Sequence, residues 1–92
     1  MWYVYILVCE GGSYYVGLTD DVGRRYREHS AGKGGHYTRR NPPTKLAYQE
    51  SFQNKETAQK REIQIKRWVR AKKKALIEGK IVLLQQLSIS RD

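Results

Sequence analysis

The strongest hydrophobic signal comes at the start of the chain. Trp2–Cys9 (WYVYILVC) is an unbroken run of aromatic, β-branched and aliphatic residues, the pattern of a strand buried on both faces. Gly11 and Gly12 interrupt it, and residues 14–18 (YYVGL) resume the strand pattern, which predicts a β-hairpin. Val22, Tyr26 and His29 then recur at helical spacing up to Ser30. Thr19, Asp20 and Asp21 offer cap oxygens ahead of that helix, and Gly32 supplies a stop. Residues 32–45 (GKGGHYTRRNPPTK) read as a loop of glycine, proline and cations. In residues 46–52, Leu46, Tyr48, Glu50 and Phe52 alternate with Ala47, Gln49 and Ser51, a third strand with one wet face. Asn54 can cap a helix over 55–70, a second helical stretch covers 71–78 before Gly79, and the leucines of 80–87 suit a short helix. The order ββαβαα predicts an α+β fold, a small three-stranded antiparallel sheet flanked by helices, as one domain over residues 1–92.

Charge narrows the function. Lys and Arg number 18 against 9 Asp and Glu, a formal net charge of +9 on 92 residues. The natural counter-charge is polyanionic, nucleic acid first and anionic membrane second. No basic helix also carries a broad apolar face, which argues against the membrane. The single Cys9 excludes a disulfide framework and every multi-cysteine zinc site. The longest apolar run is too short to cross a bilayer and lacks a charged leader, so a reduced, cytoplasmic setting is expected.

Three features carry candidate chemistry. Tyr5 and Tyr15 can line one site across the hairpin only if they share a sheet face. That requires Tyr5 opposite Gly17 and Leu7 opposite Tyr15, hence an odd-numbered loop or a bulge. Gly17 would then leave an opening beside Tyr5 through which a phosphate reaches backbone. Packing is the commoner use of strand aromatics. Arg25 and His29 lie four apart and share a helix face, though each is also an ordinary residue of a basic or capping surface. Glu62 falls in the apolar stripe of Ala58, Ile65 and Val69, where a carboxylate is costly unless paired or bound to metal. An ion pair with Arg25 or another cation explains it as well as a Mg²⁺ site does.

Taken in order, Tyr3-Val4-Tyr5, Tyr15-Val16-Gly17, Arg25, His29 and Glu62 resemble the motifs of the GIY-YIG nuclease superfamily, most closely its small stand-alone bacterial members. The likeness spans nearly the whole chain. It implies that Tyr5 activates the attacking water, Tyr15 supports the site through its hydroxyl and Gly17 keeps the strand open. It further implies that Arg25 clamps the scissile phosphate and His29 hydrogen-bonds or takes a proton from Tyr5. Glu62 would hold a single Mg²⁺ or Mn²⁺ ion. Tyr37 resembles a recurrent tyrosine of the stand-alone group. The chain departs from the pattern at Tyr3, where the motif name has glycine, at Leu18, where several relatives carry lysine, and in lacking a late asparagine after Glu62.

Lys33, His36, Tyr37, Arg39 and Arg40, with Gly17, form the expected nucleic-acid surface, extended by Lys45 and the run Lys72-Lys73-Lys74. A solvated helix end, favoured by a C-terminal dipole, explains that lysine run equally well. No base-reading element is visible, so recognition of backbone or structure is expected, with steep salt dependence. The resulting expectation is a divalent-metal-dependent endonuclease acting on DNA in repair or processing, with RNA as substrate left open. The alternative is a non-catalytic nucleic-acid-binding module. A homodimer or a recruiting partner fits either reading.

Overall fold

The computed structural model describes residues 1–90. Strands β1 (Trp2–Cys9), β2 (Tyr14–Thr19) and β3 (Pro43–Phe52) form one antiparallel sheet in the order β2-β1-β3. Helices α1 (Val22–Ser30) and α2 (His36–Arg40) follow β2, and α3 (Lys55–Lys66), α4 (Arg70–Glu78) and α5 (Ile81–Ser90) follow β3. None of these helices is long and apolar enough to cross a membrane.

The central strand explains the opening apolar run. Val4, Tyr5, Ile6 and Leu7 are all at most 2% exposed because both faces of β1 are covered. Val4 and Ile6 pack with Val16, Ala58, Ile65 and Leu76, which places α3 and α4 on that face. Tyr5, Leu7 and Cys9 face the other way, against Tyr15 and the Tyr26 of α1. The hairpin pairs Tyr5 with Gly17 and Leu7 with Tyr15. Five residues, 9–13, separate the paired Val8 and Tyr14, and this odd loop brings the two tyrosines to one face. It turns through Gly11 and Gly12, both at positive φ.

α1 begins and ends as its periodicity indicates, with the Asp21 carboxylate accepting from the Arg24 N–H at 3.0 Å. Elsewhere the structure departs from the expectation. The loop over 32–45 contains α2, and its last residues already belong to β3. A register shift opposite Ile6 and Leu7 turns Leu46 onto the Tyr5 face, away from Tyr48 and Phe52, which pack with Val4 and Ile6. The helix expected over 55–70 stops at Lys66. Trp68 turns inward, its ring between the Arg61 and Lys72 side chains, and Val69 becomes the cap residue of α4, 63% exposed. The lysine run is neither a free surface nor a helix C-terminus. It lies in the first half of α4, with Lys72 buried against Trp68, Lys73 half-buried and Lys74 exposed.

Candidate active site

The hairpin and α1 bring Tyr5, Tyr15, Arg25 and His29 together. The Tyr5 hydroxyl lies 2.8 Å from His29 Nε2, and His29 Nδ1 lies 2.7 Å from the Thr38 hydroxyl. All three residues are at most 2% exposed. Tyr15 closes the cluster, its ring centroid 6.4 Å from Tyr5 and 5.1 Å from His29, edge-on to the imidazole. Arg25 is held by two acceptors, Glu28 Oε1 at 2.9 Å and the Gly34 carbonyl at 2.8 Å.

Burial pushes the Tyr5 phenol up to about 12; Tyr15 and Glu62 act in the same direction and Arg25 against it. Burial, and after it the Arg25 charge, hold His29 below the ordinary histidine range, with Glu28 opposing. The buried chain therefore has a protonated phenol facing a neutral imidazole at physiological pH.

Two glycines make this packing feasible. A Cβ on Gly17 would sit 2.3 Å from Cζ and Oη of Tyr5. The space over Gly17 is thus filled by the phenol, and the opening for phosphate expected there does not exist. Gly34 plays the same part for the imidazole, since a Cβ would lie 2.1 Å from His29 Nδ1. Gly34→Ala should therefore cost about 1–3 kcal/mol through overpacking. In a chain of this size that is a fall in melting temperature of about 4–8 °C per kcal/mol, and a thermal melt in which the variant matches the wild type would refute the packing argument.

Glu62 is largely buried, as its place in the stripe predicts: Ala58 and Ile65 are fully buried, and the Glu62 side chain is 14% exposed and reaches Lys66 Nζ at 3.1 Å. Its ion-pair partner is Lys66, not Arg25. It nevertheless lies close enough to Tyr5 for its charge to raise the phenol. Among the described residues no group of three or more His, Cys, Asp or Glu could hold a metal. One carboxylate is still a sufficient protein donor for an ion such as Mg²⁺, which keeps several waters and borrows phosphate oxygens. The donor set at Glu62 fits that type of ion and does not fit a tetrahedral zinc site.

Lys33, His36, Tyr37, Arg39 and Arg40 are all exposed, on α2 or just before it. Tyr37 also stacks on Tyr15, centroids 5.9 Å apart and planes at 18°, and its hydroxyl bonds Ser13. The sequence reading missed Thr38 and Gly34, which fix the imidazole and the guanidinium. Thr38 and Gly34 lie in the glycine-rich segment among ordinary loop residues, and only the fold shows what they touch.

One surface cleft, about 790 Å³, runs between Tyr3, Leu46 and Gln49 of the sheet and the start of α1. Asp20, Asp21 and Arg27 line it, and Asp20 is paired with Arg24, so it carries no concentration of positive charge. Another, about 290 Å³, adjoins the tyrosine cluster and is lined by Tyr14, Tyr15, Val16, Tyr37, Lys66 and Lys73.

The profile of the GIY-YIG catalytic domain matches residues 1–75, and the chain belongs to this family, whose members form a nuclease superfamily. It is similar to small GIY-YIG proteins of bacteria and archaea called UPF0213. One, from Halobacterium salinarum, is 49% identical over 83% of this chain and 99% of its own length. Another, from Cupriavidus pinatubonensis, is 47% identical over 78% of this chain and 80% of its own. The solution NMR structure of the UPF0213 protein of Bacillus halodurans covers 87% of this chain and 86% of its own, at 45% identity and a TM-score of 0.56.

Proposed function

We propose that the protein is a metal-dependent endonuclease that hydrolyses DNA phosphodiester bonds, recognising backbone or structure rather than sequence. The observation that carries this reading is the buried Tyr5–His29–Thr38 chain. A phenol held protonated donates, so Nε2 of His29 accepts and Nδ1 carries the ring proton toward Thr38. As water attacks phosphorus, its proton passes to Tyr5 Oη while the phenol proton passes to His29 Nε2. Tyr5 alone is a poor base at neutral pH, and the neutral imidazole behind it supplies the missing acceptor. Arg25, held in place by Glu28 and Gly34, supplies fixed positive charge for the phosphate oxygens in the transition state. Glu62 would hold a Mg²⁺ or Mn²⁺ ion, which when bound adds charge neutralisation at the phosphate.

The Tyr5–His29–Thr38 chain would satisfy buried polar groups in a non-catalytic binding module as well, so only cleavage separates the two readings. The net charge of +9 serves both readings and decides neither. The deciding experiment is a cleavage panel of single-stranded, duplex, flap and branched DNA with Mg²⁺, Mn²⁺ or EDTA. Cleavage of at least one form with metal and none with EDTA is expected. Binding without cleavage of any form would turn the assignment to the binding module.

A further inference from the structure

β2 is an edge strand, and three of its residues, Tyr14, Tyr15 and Val16, line the cleft of about 290 Å³. Neighbouring residues of a strand point to opposite faces, so Tyr14 and Tyr15 wall this edge from both sides. Tyr15 stacks against Tyr37, and Tyr14 is covered by the Arg70 guanidinium, 4.1 Å from the ring centroid. Lys66 of α3 and Lys73 of α4 line the same cleft. Arg70 and Lys72 lie over aromatic rings and Lys66 reaches Glu62, but among the described residues no carboxylate pairs with Lys73. Burial lowers the Lys73 pKa. A half-buried ammonium without a counter-charge favours an incoming anion. The cleft also continues from the catalytic cluster, because Tyr15 belongs to both and Lys66 touches Glu62.

We propose that this cleft is a subsite for one unpaired nucleotide next to the phosphodiester to be cut, its phosphate on Lys73 and its base against the tyrosines. At about 290 Å³ the cleft lies just below the ~300–1,000 Å³ usual for ligand sites, and it is open to solvent along one side. Tyr15 and Tyr37 stack on each other and Arg70 covers one face of Tyr14, so the base would lie on the exposed side of this group, chiefly on Tyr37, which is 41% exposed. Aromatic stacking accepts any base and so selects unpaired character without reading sequence. The preferred substrate then has an unpaired segment at the cleavage point, as a flap or frayed junction does. The inference rests on the nuclease reading for what adjoins the cleft.

The test is binding in EDTA, followed by fluorescence anisotropy with a labelled single-stranded oligonucleotide and the matching blunt duplex. Lys73→Met keeps the methylene packing and removes the charge. It should weaken single-strand binding about tenfold, the cost of one charged contact, and change duplex binding less than about twofold. The slope of log affinity against log salt for the single strand should fall by about 0.7, one phosphate contact. Lys73→Arg should restore both. On the unaltered chain, thymidine monophosphate should protect Lys73 from acylation, a readout that needs no variant to fold. Equal losses on both probes, no loss on either, or no protection would overturn the subsite. If Lys73→Met changes neither probe while the wild type cleaves with metal, the subsite fails and the nuclease reading stands. If the single-strand effect appears in a protein that never cleaves, the subsite stands and the nuclease reading fails.

Discussion

Tyr5→Phe should lower the cleavage rate by about two to four orders of magnitude, the usual worth of a positioned acid–base group, with the fold retained. Phenylalanine fills the same space over Gly17 and keeps the packing against Leu7 and Tyr15. What it removes is the hydroxyl 2.8 Å from His29 Nε2, so an imidazole nitrogen is left buried without its partner, a cost of about 1–3 kcal/mol. The pH profile separates this role from a packing role. Because burial and Arg25 hold His29 below the ordinary range, the wild-type rate should be flat near neutrality and fall only at pH below about 6.5. The lost activity follows protonation of the imidazole, which then no longer accepts from Tyr5. Stability shifts the same way. The unfolded chain binds a proton at His29 more readily than the folded one, so stability declines as pH falls through the range below the free histidine value. The residual rate of Tyr5→Phe should lack that acid limb. Retention of the wild-type rate, or of the wild-type pH profile in the residual activity, would show that the phenol does not pass a proton to His29.

How much of this site could be read from sequence depends on the kind of contact. The hairpin was legible because strand parity is strict. Once Tyr5 and Tyr15 are required on one face, only an odd loop or a bulge satisfies them, and the five residues 9–13 are the odd loop. α1 was legible because the Asp21 cap and the Val22-Tyr26-His29 spacing are local signals. α2 was not, since five residues cannot hold a helix by their own periodicity. It is held by Tyr37 on Tyr15 and Thr38 on His29, contacts made with segments far away in the chain. The break after Lys66 has no glycine or proline to announce it, and it lets a partly buried Trp68 pack against the core and take Arg61 and Lys72 over its ring. Gly17 shows a subtler limit. Its need for a missing side chain was visible, but whether the space would admit substrate or the Tyr5 ring is a question of rotamers, and the ring takes it.

Glu62 is the residue on which cleavage and binding should part. Glu62→Gln keeps the shape of the side chain and removes its charge, so on the proposed mechanism a divalent ion would lose its protein anchor. Such an ion contributes several kcal/mol to phosphodiester hydrolysis, which at about 1.4 kcal/mol per tenfold implies a rate loss of about 10²–10³. Stability should hardly change. The Glu62–Lys66 pair is an i,i+4 contact with a half-exposed lysine, of a kind worth about 0.3–0.5 kcal/mol. DNA affinity measured in EDTA should rise, because the variant drops a negative charge beside the phosphate path and frees Lys66 for substrate. Tyr5 should also titrate lower than in the wild type, since Glu62 is one of the charges that raises it. A carboxylate that served only to pair Lys66 would leave the cleavage rate where it was. Slower cutting together with tighter binding is the combination that a role in holding the ion requires, and a variant that loses both, or neither, removes Glu62 from the chemistry.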